Sequence, residues 1–524
     1  MVNKNLFQTL EGSLLPAATA TNASQAPAYA YTPRHQLAQL AATGSLGRTF
    51  HASAEAQLDA VLALAAQVEP EFVAKTAIHA RQSGHMKDMP ALLAATLAVC
   101  DVALLAKVFG RVVDNGKMLR GFVQILRSGA VGRKSLGSRP KKLVQHWLLN
   151  ASEKQLLAAT VGNAPSLADV VKMVHPKPAE AWRAAWFAWL IGKEVDVSAL
   201  PPITQAFERF KRARAEGQST ELPDVPFQML TALDMSSGQW AQVALNGSWQ
   251  MVRQNLNTFA RHGVFERKRM VTLVAAKLRN ADAVAKSRVM PYQLLAAFKA
   301  TGAGMPAQIR EALQDAMELA VANVPSFGGQ VVVCPDVSGS MSQAVTGHRG
   351  TATSSVRCID VAALVTAAVL RKNPTARVLP FEQLVVSMSL NGRDSVMTNA
   401  QALASIGGGG TNCSAPLALL NRERAQVDLV ILVSDNESWV DATRRGATQT
   451  LREWEALKQR NPHARLVCID LQPGATTQAA ERHDILNVGG FSDAVFGLVS
   501  RFARGEADVD HWVGEIDKIA LDPQ

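Results

Sequence analysis

The pattern of apolar and polar positions changes character near residue 324. From Pro33 to about Asn323, apolar residues recur at helical spacing, one segment after another. The stretch 306–323, P-A-Q-I-R-E-A-L-Q-D-A-M-E-L-A-V-A-N, opens on a proline and sets Ile309, Leu313, Ala316 and Ala320 on one stripe. Trp182, Trp186 and Trp189 share one helical face, which reads as core before it reads as a base-stacking platform. This succession suggests a stacked α-solenoid, although no clean repeat period is visible. After V-P-S-F-G-G-Q (324–330), a linker by composition, short apolar runs appear at 331–335, 376–381, 385–390, 428–434 and 464–471. Helical runs alternate with them, such as 357–371, apolar nearly all round. That alternation predicts a doubly wound, mostly parallel sheet covered on both faces. The expected organisation is therefore multidomain, α followed by α/β: a flexible N-terminal arm at 1–30, rich in Ala, Thr, Ser, Asn and Pro, helical repeats over 31–323, the linker, and an α/β domain over 331–524.

Composition narrows the class. Of 524 residues, 48% are hydrophobic and 19% charged, enough for packed cores and too apolar for wholesale disorder. Five scattered cysteines without a C-x-x-C pair argue for reduced thiols and a cytoplasmic location, against a disulfide scaffold or structural zinc. No apolar run reaches the length of a membrane span, and Glu11 interrupts the only apolar stretch at the N-terminus. The net charge of +10 is uneven: residues 1–325 carry +13 and the remainder −3. Two blocks, 101–150 and 251–300, each hold ten basic and two acidic residues, a pattern that attracts a polyanion by neutralising phosphates. Arg133, Lys134, Arg139, Lys141 and Lys142 lie within ten residues with no acid among them.

The strand ends carry the candidate chemistry. V-V-V-C-P-D-V-S-G-S-M-S (331–342) runs from a buried strand into Asp336, Ser338 and Ser340; I-G-G-G-G-T supplies Thr411; L-V-I-L-V-S-D ends on Asp435. Two carboxylates and three hydroxyls at the carboxyl end of a parallel sheet suit a hard cation, with Mg²⁺ first, which takes oxygen at ~2.0–2.1 Å in an octahedron. A phosphate-cradling loop would need a lysine after G-G-G-G-T, and a hydrolase would need a G-x-S-x-G turn and a placed base; neither pattern is present. The blander alternative is a set of helix caps and Asx turns.

Residues 331–500 resemble the von Willebrand factor A domain: D-V-S-G-S matches the D-x-S-x-S loop of its metal-ion-dependent adhesion site, Thr411 the distal threonine and Asp435 the later aspartate. The resemblance implies that Ser338, Ser340 and Thr411 coordinate the metal, with Asp336 and Asp435 acting directly or through water. Such a site, short of direct carboxylates, accepts an acidic oxygen from a protein ligand and needs no chemistry of its own.

The helical part resembles the Ro autoantigen family and its TROVE module, in bacterial form. The matching stretches are 37–50, 135–148, 166–178, 249–256 and 287–298, with D-N-E-S at 435–438 and G-F-S-D at 490–493. The family implies a ring of HEAT-like repeats closed by the von Willebrand factor A domain. It binds small noncoding Y RNAs on the ring's outer face, can thread single-stranded 3′ ends of misfolded RNAs, and can work with a processing exoribonuclease. His175, in V-H-P-K-P, matches a histidine of the Y RNA surface, Lys141 and Lys142 match a basic pair, and Lys172 falls in the same motif. The chain departs from the family at 158–165, A-A-T-V-G-N-A-P, where animal members carry basic residues. Arg133, Lys134 and Arg139 are then candidates for the phosphate contacts. The resemblance implies a noncoding-RNA-binding protein without enzyme activity, acting in RNA processing, quality control or stress response. A metal-dependent adhesion module with incidental RNA binding is the alternative.

Overall fold

The structure, a computed structural model, describes residues 15–43, 54–218, 220–231, 233–289, 291–302, 304–345, 356–440, 446–472, 474–490, 493–506 and 511–522. Parts of the resembling stretches 37–50, 287–298 and 490–493, and residues 1–14 of the expected arm, lie outside these ranges.

The rest of that arm is ordered. Strands β1 (Ala20–Thr21) and β2 (Pro27–Ala30) pair antiparallel, closed by an Asn22 turn whose Oδ1 accepts the amides of Ser24 and Ala26. Ala28 and Tyr29 are buried, and Tyr29 Oη accepts the Thr448 amide at 3.4 Å. The composition read as a linker because the order comes from partners more than 400 residues away.

One compact unit comprises Val68–Ala275 with Ile519–Gln524, and the regular elements among its described residues are all helices. Within it, α1 (Gly116–Ser128), α2 (Ser138–Asn150), α3 (Leu167–Val174) and α4 (Ala181–Leu190) bury one face each. Asn115 caps α1 through the Met118 amide, and Ser166 with Asp169 forms a capping box on α3. The tryptophan stripe of α4 is core at its centre: Trp186 is fully buried and donates to Thr204 Oγ1 at 3.1 Å, while Trp182 and Trp189 are half-buried and Trp189 donates to Glu208 at 2.8 Å.

The second unit joins Met1–Gln67 to Ala276–Lys518, so the linker at 324–330 does not separate the compact units. Side chains explain why. Helix Ala307–Ala320 buries Ile309, Leu313, Ala316 and Ala320, the stripe read from the sequence, and its Glu318 pairs with Arg371 at 3.4 Å. Lys299 reaches the buried Asp360 at 2.6 Å. The helices just before the linker thus dock onto the α/β layer that follows it.

That layer is a five-stranded parallel sheet in the order β4-β3-β5-β6-β8: β3 (Val331–Pro335), β4 (Arg377–Val378), β5 (Leu429–Ser434), β6 (Arg465–Asp470) and β8 (Ile485–Gly489). Helix α5 (Cys358–Lys372) is buried on every side except at its end, as its continuous apolar run demands. On the other face Val332, Cys334, Val430, Leu432, Leu466 and Cys468 pack with Trp454, which donates to Asp484 at 2.9 Å. Strand β7 (Thr476–Thr477) joins β2 in the small antiparallel sheet. The run 385–390 is not a strand: the chain folds back at Phe381–Val385 and leaves the sheet.

Candidate metal centre and basic surface

The carboxyl ends of β3 and β5 deliver Asp336 and Asp435, one residue beyond each strand, to the same edge of the sheet. Asp336 is fully buried: its Oδ1 accepts the Ser338 amide at 2.9 Å and its Oδ2 accepts Ser434 Oγ at 2.7 Å. The Thr411 hydroxyl donates to Ser338 Oγ at 2.8 Å, and Ser338 Oγ lies 3.2 Å from Ser340 Oγ. The five residues chosen from the sequence therefore share one locus. Thr411 arrives by a different route from the one expected, on a loop between helices Val396–Ala404 and Ala415–Arg422 rather than at a strand end. That loop is fastened by the Gly339 amide on Gly409 O, the Asn412 amide on Glu382 O and the Trp439 amide on Thr411 O.

Electrostatics mark the locus as short of positive charge. Burial, reinforced by the neighbouring Asp435 carboxylate, pushes the Asp336 carboxyl up to about 7. Asp470, at the end of β6 and in register with Ser434, is pushed well above the carboxylate range by burial and then by Asp435; its Oδ2 has no hydrogen bond. An oxygen donor set with buried carboxylates that resist ionisation fits a hard divalent cation. Among the described residues no cluster of three His, Cys, Asp or Glu forms a cage, so hydroxyls would do most of the holding. The exposed Trp439, 47% accessible, lies against Gly410 so closely that a Cβ there would collide with its indole; it forms the rim of the locus.

Sequence reasoning missed Ser434 and Asp470. The signal was present: R-L-V-C-I-D, like V-V-V-C-P-D and L-V-I-L-V-S-D, is an apolar run ending in an acid.

The basic residues lie in the helical unit. Arg139, Lys142 and Lys134 are exposed and Lys141 half-exposed at the start of α2 and just before it. Arg133 is not part of a free patch: its guanidinium donates to Ala98 O at 2.9 Å and packs over Gly137. His175 is exposed, in the left-handed conformation (φ 51°) that ends α3, and so is not a core histidine. Gln145 of α2 donates to Val174 O at 2.6 Å and to His175 O at 3.4 Å, which ties His175 to the lysine helix. Lys172 is exposed on the same short helix. The divergent loop 158–165 is occupied from inside: Arg120 of α1 donates to the carbonyls of Val161 and Pro165.

Residues 330–503 match the family model of the Ro60 vWA domain. The chain is 26% identical over 362 residues to the RNA-binding protein RO60 of Deinococcus radiodurans, a match that takes in 65% of this chain and 66% of that protein's length. The crystal structure of the Deinococcus radiodurans RO (RSR) protein superposes with a TM-score of 0.60 at 19% identity, over 91% of this chain and 100% of that one, a likeness of fold. No helix among the described residues is long and apolar enough to cross a membrane.

Proposed function

We propose that this chain, whose residues 330–503 match the model of the Ro60 vWA domain, is a noncoding-RNA-binding protein, the core of a ribonucleoprotein containing a small Y-like RNA, acting in cytoplasmic RNA processing, quality control or stress response. The observation that supports this reading most is the basic surface of α2 and α3. Arg139, Lys141 and Lys142 offer clustered charge to phosphates, and the exposed His175, fixed by Gln145, offers a directional donor and acceptor at its edge. A structured RNA fits such a surface better than a threaded single strand, because the 158–165 loop, where animal members of the family it resembles carry cations, has none here and its carbonyls are bonded by Arg120. Structured or misfolded RNA 3′ ends, and an exoribonuclease acting on them, are the wider partners this reading entails.

Filter binding across a salt series tests it. Binding of a bacterial Y-like RNA should weaken as salt rises, and Lys141→Ala with Lys142→Ala should flatten the log–log slope by about one to two units while weakening a scrambled RNA alike. Unchanged affinity and slope in that variant would remove the patch from the RNA surface.

The vWA domain supports a second activity on the same chain: capture of an acidic protein ligand. Asp336 and Asp435 with the hydroxyls of Ser338, Ser340 and Thr411 would hold Mg²⁺, which when bound supplies a Lewis-acidic position for a partner's carboxylate. Ser338 and Ser340 bond to each other and to Thr411 rather than to a histidine, which favours holding a cation over nucleophilic attack. The exposed Trp439 at the rim favours a protein over a polyanion there.

A further inference from the structure

We propose that the N-terminal hairpin is a component of the metal centre: Asn22 is a positioning residue that holds the Asp435 loop in its cation-binding shape, so that cation binding and docking of residues 16–30 are coupled. The inference rests on the metal reading above and adds to it a segment that lies 416 positions from its target in the chain.

Three consecutive residues after Asp435 are each tied to the hairpin or to its partner strand. Asn436 O accepts Gln478 Nε2 at 3.3 Å, and Gln478 follows β7, which pairs with β2 through Tyr29–Thr477 and Ala30–Thr476. Glu437 Oε2 accepts the Ala23 amide at 2.9 Å. Ser438 O accepts Asn22 Nδ2. Within this loop Asn436 sits at φ 59°, in the left-handed region that asparagine tolerates better than most residues with a side chain, and the ties on either side hold it there.

The same ties reach the second metal-site loop. Ser438 Oγ donates to Thr411 O at 3.4 Å and faces the Cys413 amide at 3.4 Å. The Glu437 amide, in turn, donates to Asp435 Oδ1 at 3.3 Å. Displacing Asn22 therefore disturbs both the loop that carries Asp435 and the loop that carries Thr411. By linkage, a cation that fixes these loops must favour the docked hairpin to the same extent.

The Asn22 side chain, only 4% exposed, has two separable tasks. Its Oδ1 closes the hairpin's own turn, at 3.0 Å from both the Ser24 and Ala26 amides. Its Nδ2 alone makes the tie to Ser438. Asn22→Asp keeps the acceptor, so the turn survives, and deletes the donor. It also adds a negative charge beside Glu437. Electrostatics alone would then tighten cation binding, whereas lost positioning would weaken it. The two accounts differ in sign.

The full chain would be titrated with Mn²⁺ by calorimetry, with amide exchange of residues 16–30 followed in the presence and absence of Mn²⁺. Wild type should bind Mn²⁺ and slow exchange across 16–30. Asn22→Asp should bind roughly fivefold more weakly, the effect of about one buried hydrogen bond on an equilibrium, and lose most of the Mn²⁺-dependent protection. Glu437→Ala, at a partly exposed residue whose loss leaves the hairpin's own bonds intact, should lose part of that protection, and serves where Asn22→Asp folds poorly. Equal or tighter binding by Asn22→Asp, or exchange across 16–30 that ignores Mn²⁺ in wild type, overturns the coupling. A wild-type chain that binds no Mn²⁺ overturns the metal reading itself.

Discussion

At the residue scale, the α/β part of the chain stores several carboxyl groups where they resist ionisation, and Glu481 is the one that can be tested apart from the proposed metal centre. Burial pushes it up to about 8, against the pull of the Asn487 side-chain and backbone donors at 2.7 and 3.1 Å; its Oε1 has no hydrogen bond. The folded-state value lies above the ordinary 4.5, so the folded chain holds a proton that the unfolded chain releases. Its stabilising effect is complete below about 4.5 and is lost as pH rises through about 8, at up to about 1.4 kcal/mol per pH unit. Glu481→Gln removes this titration and offers a neutral amide in the same volume. The variant's melting temperature should exceed that of wild type by a margin that grows from pH 5 to pH 8 and then levels; a constant difference would place the Glu481 proton elsewhere. Ser434 belongs to the same scale. It was not singled out in the sequence because one serine among apolar neighbours looks like a tolerated core hydroxyl, and only its bond to Asp336 reveals its task.

At the element scale, what could be read from the sequence depended on whether an element's partners were local. Strands β3, β5 and β6 were legible because burial on both faces forces continuous apolar runs. The 376–381 run was legible only in part: β4 proper is two residues, though Leu379 and Phe381 continue to donate toward β3. The 385–390 run misled, since V-V-S-M-S-L alternates like a half-buried strand yet follows a reversal that takes it off the sheet. Strand β8 escaped because I-L-N-V-G is short and has a polar centre, Asn487, which is occupied in holding Glu481 and the Ala479 carbonyl. The junction of α2 and α3 shows a local device that sequence spacing could not show. Gln145 bonds the last carbonyls of α3 and thereby sets where His175 projects. His175→Ala should weaken binding of a Y-like RNA more than of a scrambled one, and Gln145→Ala should reproduce part of that loss, both with little change in salt slope, since neither residue brings a permanent charge. A double-mutant cycle by filter binding checks this: the pair should be less than additive, because Gln145 acts through His175. Strict additivity would mean that Gln145 merely stabilises α3.

At the scale of the whole molecule, charge and chemistry are divided between the two parts of the chain. The excess of +13 lies in residues 1–325, and the remainder, which carries the oxygen-lined edge of the sheet, has a net −3. The acids Asp336, Asp435 and Asp470 sit at adjacent strand ends, where they offset the charge of a bound cation, so the locus presents no polycationic surface to a nucleic acid backbone. This predicts that the two sites are energetically separate for RNA. Thr411→Ala removes the hydroxyl that bonds Ser338 Oγ, and should weaken Mn²⁺ binding while leaving Y-like RNA affinity within a few-fold of wild type. Combined with Lys141→Ala and Lys142→Ala, its effect on RNA should simply add, within ~0.3–0.5 kcal/mol. Filter binding of wild type, the threonine variant, the lysine pair and the triple variant, each in Mg²⁺ and in chelator, decides it. A large loss of RNA affinity on Thr411→Ala with circular dichroism unchanged, or strong non-additivity with the lysine pair, would mean that the metal centre takes part in RNA recognition and that the division of labour read from charge is wrong.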